Sequence, residues 1–161
     1  MKRPAVKDAY DLLKKLEIEY TRYEHEPISS VKHYEAELPG PQVKNLLLKT
    51  KKNKQYFMLL LPEEKKVDLK RLAAELGTSR LSFASPEELE ALLGLHPGEV
   101  TPIALPKDQD GKIQVVIDES VDREDTIGFH PNVNTQTVIV QFRDLERILE
   151  SIEHPPVYKK C

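Results

Sequence analysis

The sequence has one cysteine and no long apolar run, and each shortage argues against a class of protein. A lone Cys161 provides no disulfide framework, which favours a reducing, cytoplasmic setting, and as the last residue it is expected to be frayed and exposed. No apolar stretch is long enough to span a bilayer, and the basic residues after Met1 precede a charged amphipathic segment rather than a signal peptide. We therefore expect neither secretion nor a membrane partner.

Neither sign of charge is in large excess. The formal net charge is −3, so we do not expect strong, non-specific binding to nucleic acid through overall charge. DNA is not an expected partner, and any contact with RNA must be local. The 161 residues are 39% hydrophobic and 32% charged, close to globular averages, and predict a single domain over residues 1–161.

The common catalytic and metal-binding motifs are missing. The five histidines and the single cysteine show no HExxH or other paired-ligand spacing, so no metal site is expected. No GxSxG, P-loop or GxGxxG pattern is present. The sequence therefore lacks the usual motifs of a serine hydrolase, a nucleoside triphosphatase and a dinucleotide-binding enzyme.

Helix and strand patterns alternate along the chain without a repeating unit. Three- and four-residue apolar spacing predicts helices at residues 5–16, 31–38, 69–76, 86–93 and 145–152, the fourth with a capping box of Ser85 and Glu88. Strands are predicted at residues 19–25, 43–48, 56–61, 81–84, 103–105, 112–117, 126–129 and 137–141, with 43–48 and 56–61 forming one hairpin and 103–105 and 112–117 another. We predict a mixed α/β fold, in which a strongly curved, barrel-like mixed sheet has helices packed around it.

Lys44 lies inside an apolar strand, an unusual place for a charge. Period-two alternation puts its side chain on the face opposite those of Val43 and Asn45. A solvated lysine on the outward face is the ordinary interpretation, since lysines are rarely buried without a partner. If the side chain instead lines a cavity, its ammonium group can bind a carbonyl, a phosphate or a ribose hydroxyl.

Two loops are rich in features that a ligand site would use. Residues 98–102, Gly-Glu-Val-Thr-Pro, offer a glycine for close backbone approach and amides for an oxyanion, although a glycine and a proline alone favour a plain connecting turn. Residues 128–135, Gly-Phe-His-Pro-Asn-Val-Asn-Thr, carry an imidazole, two amides and a hydroxyl. Asn and Pro are also common loop formers, so the second loop is open to the same plain interpretation.

Lysines crowd the turn between the two apolar strands. They are Lys49, Lys51, Lys52 and Lys54, and Lys65, Lys66, Lys70 and Arg71 follow the second strand. Such groups can meet the phosphates of an RNA end. For any individual lysine, solubility and protection of a sheet edge are the ordinary explanation of a charged turn.

Taken together, several short segments resemble the YbaK/prolyl-tRNA-synthetase-associated editing family in order and spacing. They are Glu24-His25, Leu38-Pro39-Gly40, Val43-Lys44-Asn45-Leu46, Leu81-Ser82-Phe83-Ala84, residues 98–102 and Gly128-Phe129-His130-Pro131-Asn132. The resemblance extends from near the N-terminus to the final helix. It is strongest to free-standing members that deacylate Ala-tRNA(Pro).

The resemblance implies a deacylase that uses water as its nucleophile and needs no metal or cofactor. It implies that Lys44 is the essential pocket lysine, that Gly98 and Pro102 belong to a GxxxP loop and that His130 shapes the substrate site. Asn45, Thr101, Gly128 and Asn134 are the further substrate-binding positions. The implied partner is the acceptor end of mischarged tRNA(Pro), contacted by Lys51, Lys52 and Lys54, with prolyl-tRNA synthetase as a second candidate.

Two departures from the family leave the amino acid open. Residues 27–31, Pro-Ile-Ser-Ser-Val, differ from the Phe-Thr-Val type of alanine-specific members, and Leu47 stands where an aromatic residue is frequent. Serine or cysteine are therefore alternatives to alanine. A second hypothesis is a non-catalytic module that senses an amino acid or a charged tRNA, against which the retention of Lys44, Gly98 and His130 argues.

Overall fold

The computed structural model describes residues 3–27, 40–52 and 54–161. Within these ranges the chain forms four α-helices, a 3-10 helix and eight strands. The helices are α1 (Val6–Lys15), α2 (Leu69–Leu76), α3 (Pro86–Leu93), the 3-10 helix (Pro102–Lys107) and α4 (Phe142–Ser151). The strands are β1 (Thr21–Glu24), β2 (Val43–Thr50), β3 (Tyr56–Pro62), β4 (Leu81–Phe83), β5 (Ile113–Asp118), β6 (Thr126–Phe129), β7 (Gln136–Gln141) and β8 (Val157–Lys159). The predicted helix at residues 31–38 lies outside the described residues, and no helix of the described chain could cross a membrane.

The strands form two sheets. One has the order β1-β7-β6 and is antiparallel throughout. The other has the order β4-β2-β3-β5-β8, in which β2 pairs antiparallel with both β3 and β4, while β3–β5 and β5–β8 are parallel. The predicted mixed α/β fold is confirmed. A barrel-like sheet is not, because neither sheet of the described chain closes on itself.

The five-stranded sheet is packed on both faces. Its first face, with Leu47, Met58 and Val115, joins the core that also includes α1, α3, α4 and the three-stranded sheet. Its second face packs against α2 through residues such as Leu59 and Leu72. Burial on both faces explains why residues 57–61 are continuously apolar rather than alternating.

The predicted start of α3 is confirmed. The Ser85 hydroxyl accepts the backbone N–H of Glu88 at 3.1 Å, and the Glu88 carboxylate accepts the backbone N–H of Ser85 at 2.9 Å. These reciprocal bonds satisfy two helix-end donors. They fix the direction in which the chain leaves β4 and enters α3.

The predicted strand at residues 103–105 is wrong. These residues belong to the 3-10 helix Pro102–Lys107, so β5 pairs parallel with β3 instead of forming a hairpin. Prolines at 102 and 106 bracket the segment and have no N–H to donate to a strand partner. A short buried apolar run alone does not distinguish a helix from a strand.

The expectation of a frayed, exposed Cys161 is also wrong. The preceding residues form β8, and Cys161 is only 2% exposed. Its backbone N–H donates to the Asp118 carboxylate at 2.9 Å, and its backbone oxygen accepts from Asp68 at 3.0 Å. Burial raises the pKa of the thiol to about 12, which disfavours the reactive thiolate form.

Candidate active site

A cavity of about 470 Å³ opens along the edge of β2. β4 pairs only with residues 48–50 of β2, and the last backbone bond between them joins the Ala84 N–H to the Leu47 oxygen at 2.9 Å. Beyond this point the chain turns into α3. The cavity walls come from residues 43–47, residues 83–86 with Leu89, the loop at Pro97, Gly98 and Val100, and from Glu63 and His130. The volume is in the range of sites that bind small molecules.

Four of the predicted site residues meet in this cavity: Lys44, Asn45, Gly98 and His130. The side chain of Lys44 is half-buried. No hydrogen bond or ion pair from the described residues occupies its ammonium group. The charge is therefore available to a ligand.

Asn45 presents an unused acceptor. Its side-chain amide nitrogen donates to the backbone oxygen of Val100 at 3.3 Å, which fixes the orientation of the amide because a carbonyl oxygen can only accept. The opposite atom, Oδ1, is buried and has no partner among the described residues. An unsatisfied buried oxygen costs about 1–3 kcal/mol, which a ligand N–H or O–H would relieve.

His130 is a second acceptor. Its Nδ1 lies 3.0 Å from the backbone oxygen of Gln136, so Nδ1 carries the proton and Nε2 keeps its lone pair. Burial lowers the pKa of His130; the bond to the Gln136 carbonyl opposes this shift, and the neighbouring His25, 6.0 Å away between ring centroids, reinforces it. The imidazole is therefore neutral at neutral pH.

The loop at Gly98 is held in one conformation. The backbone N–H of Glu99 donates to the His96 oxygen at 3.1 Å, closing a turn in which Gly98 has φ of 85°. This left-handed conformation favours glycine. The Glu99 carboxylate accepts hydrogen bonds from both terminal guanidinium nitrogens of Arg3, at 3.0 and 2.6 Å, and Arg3 keeps the pKa of Glu99 below its usual range.

The remaining predicted substrate-binding residues do not line the cavity. They are Thr101, Pro102, Gly128 and Asn134. Thr101 is buried and Pro102 begins the 3-10 helix, while Asn134 is half-buried in the turn before β7. At Gly128 a Cβ atom would lie 2.8 Å from Ile139 Cδ1, so this glycine permits close packing of β6 on β7.

The cavity lining also includes Glu63 and Phe83, which are not among the predicted site residues. Glu63 is a half-buried carboxylate, and in the sequence it is hidden in the charged run that follows β3. Phe83 is 55% exposed, and its only sequence signal is its place in a segment that carries the family resemblance. The cavity thus combines one cation, one carboxylate, two neutral acceptors and one exposed ring.

The predicted tRNA contacts lie outside the cavity. Lys51, Lys52 and Lys54 are exposed in the turn between β2 and β3. Two other lysines of this lysine-rich region form ion pairs: Lys49 binds Glu88 at 2.5 Å and Lys65 binds Asp118 at 3.0 Å. In the described parts of the chain, no three His, Cys, Asp or Glu side chains are grouped to hold a metal ion.

Comparison with known proteins identifies relatives with editing functions. The family model for the aminoacyl-tRNA editing domain matches residues 25–148. The chain is 34% identical over 142 residues to the prolyl-tRNA editing protein ProX of Acetoanaerobium sticklandii, covering 86% of this chain and 87% of that protein. It is 31% identical over 114 residues to the multifunctional Ser/Thr-tRNA deacylase ProXp-y of Escherichia coli, covering 69% and 66% respectively.

Solved structures show the same fold at low sequence identity. The hypothetical protein APE2540 superposes with a TM-score of 0.73 at 16% identity, over 94% of this chain and 97% of that one. A candidate trans-editing enzyme for prolyl-tRNA synthetase gives a TM-score of 0.67 at 17% identity, over 98% of each chain. Since the family model covers most of the sequence, the chain belongs to the aminoacyl-tRNA editing domain family.

Proposed function

We propose that the chain is a trans-acting editing hydrolase that deacylates mischarged tRNA(Pro), with Ala-tRNA(Pro) as its main substrate and without a metal ion. Aminoacyl-tRNA deacylase activity follows from membership of the editing family. The observation that carries the proposal is the meeting of Lys44, Asn45, Gly98 and His130 in one cavity. They come from three segments that lie far apart in the sequence, and each has a group that suits an aminoacyl ester.

The polar groups of the cavity match those of the substrate. An aminoacyl ester at the 3′ end of a tRNA has an α-ammonium group, a carbonyl and a ribose hydroxyl beside the ester oxygen. Asn45 Oδ1, His130 Nε2 and the Glu63 carboxylate can accept hydrogen bonds from the ammonium group or the hydroxyl. Lys44 supplies the positive charge for the ester carbonyl or the adjacent phosphate.

The reaction needs little chemical machinery, because an aminoacyl ester is already activated. A water oxygen bonds to the carbonyl carbon, the ester C–O bond breaks, and the departing ribose oxygen takes up a proton. In our proposal Lys44 and the backbone at Gly98 stabilise the negative charge that develops on the carbonyl oxygen. The neighbouring ribose hydroxyl assists the water, and the rigid loop holds the ester in place.

Selection of the amino acid depends on exclusion by size. A wall that admits alanine and rejects proline discriminates better than one that must detect a missing methylene by attraction. The likeness to a Ser/Thr-tRNA deacylase supports a second candidate, in which Asn45 Oδ1 accepts the side-chain hydroxyl of serine or threonine. Cysteine remains a third candidate because of its similar size.

The test is a deacylation series on a single tRNA body. Purified protein is mixed with tRNA(Pro) charged with alanine, serine, threonine, cysteine or proline, and release of the amino acid is followed over time. We expect alanine to be released fastest and proline to be spared. Faster release of serine or threonine would reassign the substrate, whereas tight binding without release of any amino acid would support a sensor. Adding prolyl-tRNA synthetase to the same series tests whether that enzyme is a partner in tRNA selection.

A further inference from the structure

Phe83 is an exposed ring at the cavity. Two large apolar side chains of the described residues are strongly exposed, Tyr20 at 44% and Phe83 at 55%, and Phe83 also lines the cavity. Exposed aromatic area has no stabilising contact in the free protein. A ring held in this way offers a flat surface to a ligand that extends out of the cavity.

A basic surface adjoins the strand that carries this ring. β4 is an edge strand of the five-stranded sheet, and the exposed Arg80 directly precedes it. The backbone oxygen of Arg80 accepts the N–H of Lys51 at 3.0 Å, which ties the start of β4 to the turn that carries Lys51 and Lys52. From Arg80 to Phe83 the strand covers roughly 10 Å, at about 3.3 Å per residue. Exposed cations and an exposed ring therefore lie along one short edge.

We propose that Phe83 is the platform on which the terminal nucleobase of the tRNA 3′ end stacks, with the preceding phosphates directed toward Arg80, Lys51 and Lys52. This inference rests on the proposed function, because that function brings an acylated terminal adenosine to the cavity. The ribose that carries the ester also carries the base, so an ester beside Lys44 requires the base to lie nearby. Among the cavity residues, Phe83 is the exposed aromatic side chain that can receive it.

The surroundings favour a nucleobase over an apolar protein surface. Phe83 is a single exposed ring between a polar cavity and a basic edge, whereas a protein interface presents a broad apolar patch. Single-stranded nucleic acids bind through this combination of a basic track and stacked rings. Lys49 does not contribute a free charge to the track, because Glu88 neutralises it.

The binding test uses a short single-stranded RNA that ends in CCA, with 2-aminopurine as its terminal base. Stacking on an aromatic ring quenches the fluorescence of this base. Wild type and Phe83→Trp should bind and quench, whereas Phe83→Ala and Phe83→Leu should bind about tenfold more weakly without quenching. Tyr20→Ala, which removes the other exposed ring, should behave as wild type. Equal affinity and quenching for Phe83→Ala and wild type would overturn the proposal.

The kinetic test separates stacking from cavity shape. Wild type and Phe83→Ala are compared on an aminoacyl-tRNA and on an aminoacyl ester whose terminal ribose lacks a base. Phe83→Ala should raise KM about tenfold on the complete substrate with kcat nearly unchanged, and should have no effect on the abasic one. An equal loss on both substrates would overturn the proposal. If wild type hydrolyses neither ester, the proposed function fails, and the 2-aminopurine experiment still decides whether Phe83 stacks a base.

Discussion

The side-chain hydroxyl of Thr101 donates a hydrogen bond of 2.6 Å to the backbone oxygen of His130. This bond joins the GxxxP loop to the loop at residues 128–135, two segments that are distant in the sequence. Thr101 is completely buried and lies outside the cavity, whereas His130 lines it. The geometry therefore supports a positioning role for Thr101, because its hydrogen bond fixes the backbone of His130.

Replacement of Thr101 by valine tests this role. The change keeps the side-chain volume but leaves the His130 oxygen without its donor, at a cost of about 1–3 kcal/mol in the free energy of unfolding. We expect lower kcat/KM for deacylation in addition to lower stability. Thr101→Ser keeps the hydroxyl and should retain most of the activity. Urea unfolding and initial-rate kinetics measure both effects, and full activity of the valine variant would contradict the positioning role.

Replacement of Lys44 by methionine should abolish most activity without unfolding the protein. The change removes the ammonium group and keeps an unbranched apolar stem. Loss of a group that stabilises developing negative charge typically lowers kcat by about 10²–10³ fold. Because no described residue pairs with Lys44, the free energy of unfolding should change by only about 0.5 kcal/mol.

Single-turnover deacylation and thermal unfolding check the Lys44 prediction together. Lys44→Arg is the matched control, since it keeps the charge while altering its position, and it should retain part of the activity. Hydrolysis by the methionine variant at the wild-type rate would remove Lys44 from the mechanism.

The sequence predicts the parts of this structure that are determined locally. The β2–β3 hairpin follows from two apolar runs beside a polar turn, and α3 follows from its capping residues. The environment of Lys44 is a different kind of property. It depends on where β4 stops pairing with β2 and on how the distant loop at Gly98 packs, and neither is encoded in the local pattern around residue 44.

Non-local pairing also explains the prediction that failed at the C-terminus. β8 has only three residues and is held by a parallel partner, β5, that lies far away in the sequence. Val and Tyr suit a strand, but three residues are too few to show an alternating pattern in the sequence. The burial of Cys161 follows from this pairing and from contacts with Asp118 and Asp68, so sequence spacing alone could not reveal it.

The pH dependence of deacylation should report the neutral state of His130. Since burial lowers the pKa of His130, its Nε2 remains a hydrogen-bond acceptor at neutral pH. It loses this capacity only when acid protonates the ring. We therefore expect the acid limb of kcat/KM to lie below the ordinary histidine value of about 6.5. Because His25 contributes to the lowered pKa, His25→Gln should move the limb upward. An acid limb well above the ordinary value in wild type would contradict this assignment.

Charge reversal in the β2–β3 turn tests the tRNA contacts. The double variant Lys51→Glu, Lys52→Glu should bind tRNA more weakly, and the slope of log affinity against log salt should fall by about one for each lost phosphate contact. Lys14→Glu with Lys15→Glu is the matched control, since it changes the net charge equally at the end of α1. Binding measured over a range of salt concentrations gives both slopes. Equal weakening by the two double variants would mean that overall charge, rather than a local contact, is responsible.

Glu88, which forms the capping box with the cavity residue Ser85, should make the free energy of unfolding depend on pH in acid. Burial would raise the pKa of Glu88, but hydrogen bonds from Lys49, the Ser85 backbone and Tyr56 outweigh this effect and lower the pKa to about 2. A carboxyl group whose pKa is lower in the folded state adds stability above its unfolded pKa of about 4.3. That stability is lost as the pH falls through the folded value, so wild type should lose stability between about pH 4.5 and 2.

Replacement of Glu88 by glutamine should flatten this acid dependence. Glutamine can still complete the capping box, but it cannot ionise or pair with the Lys49 charge. The variant should therefore be less stable than wild type at pH 7 and should lose less stability on acidification, as measured by urea unfolding at several pH values. Glu87→Gln is the matched control, because Glu87 is exposed in the same helical turn and forms no ion pair with the described residues. If Glu88→Gln and wild type lost stability in parallel down to pH values near 2, the Lys49–Glu88 contact would not be the source of the acid dependence.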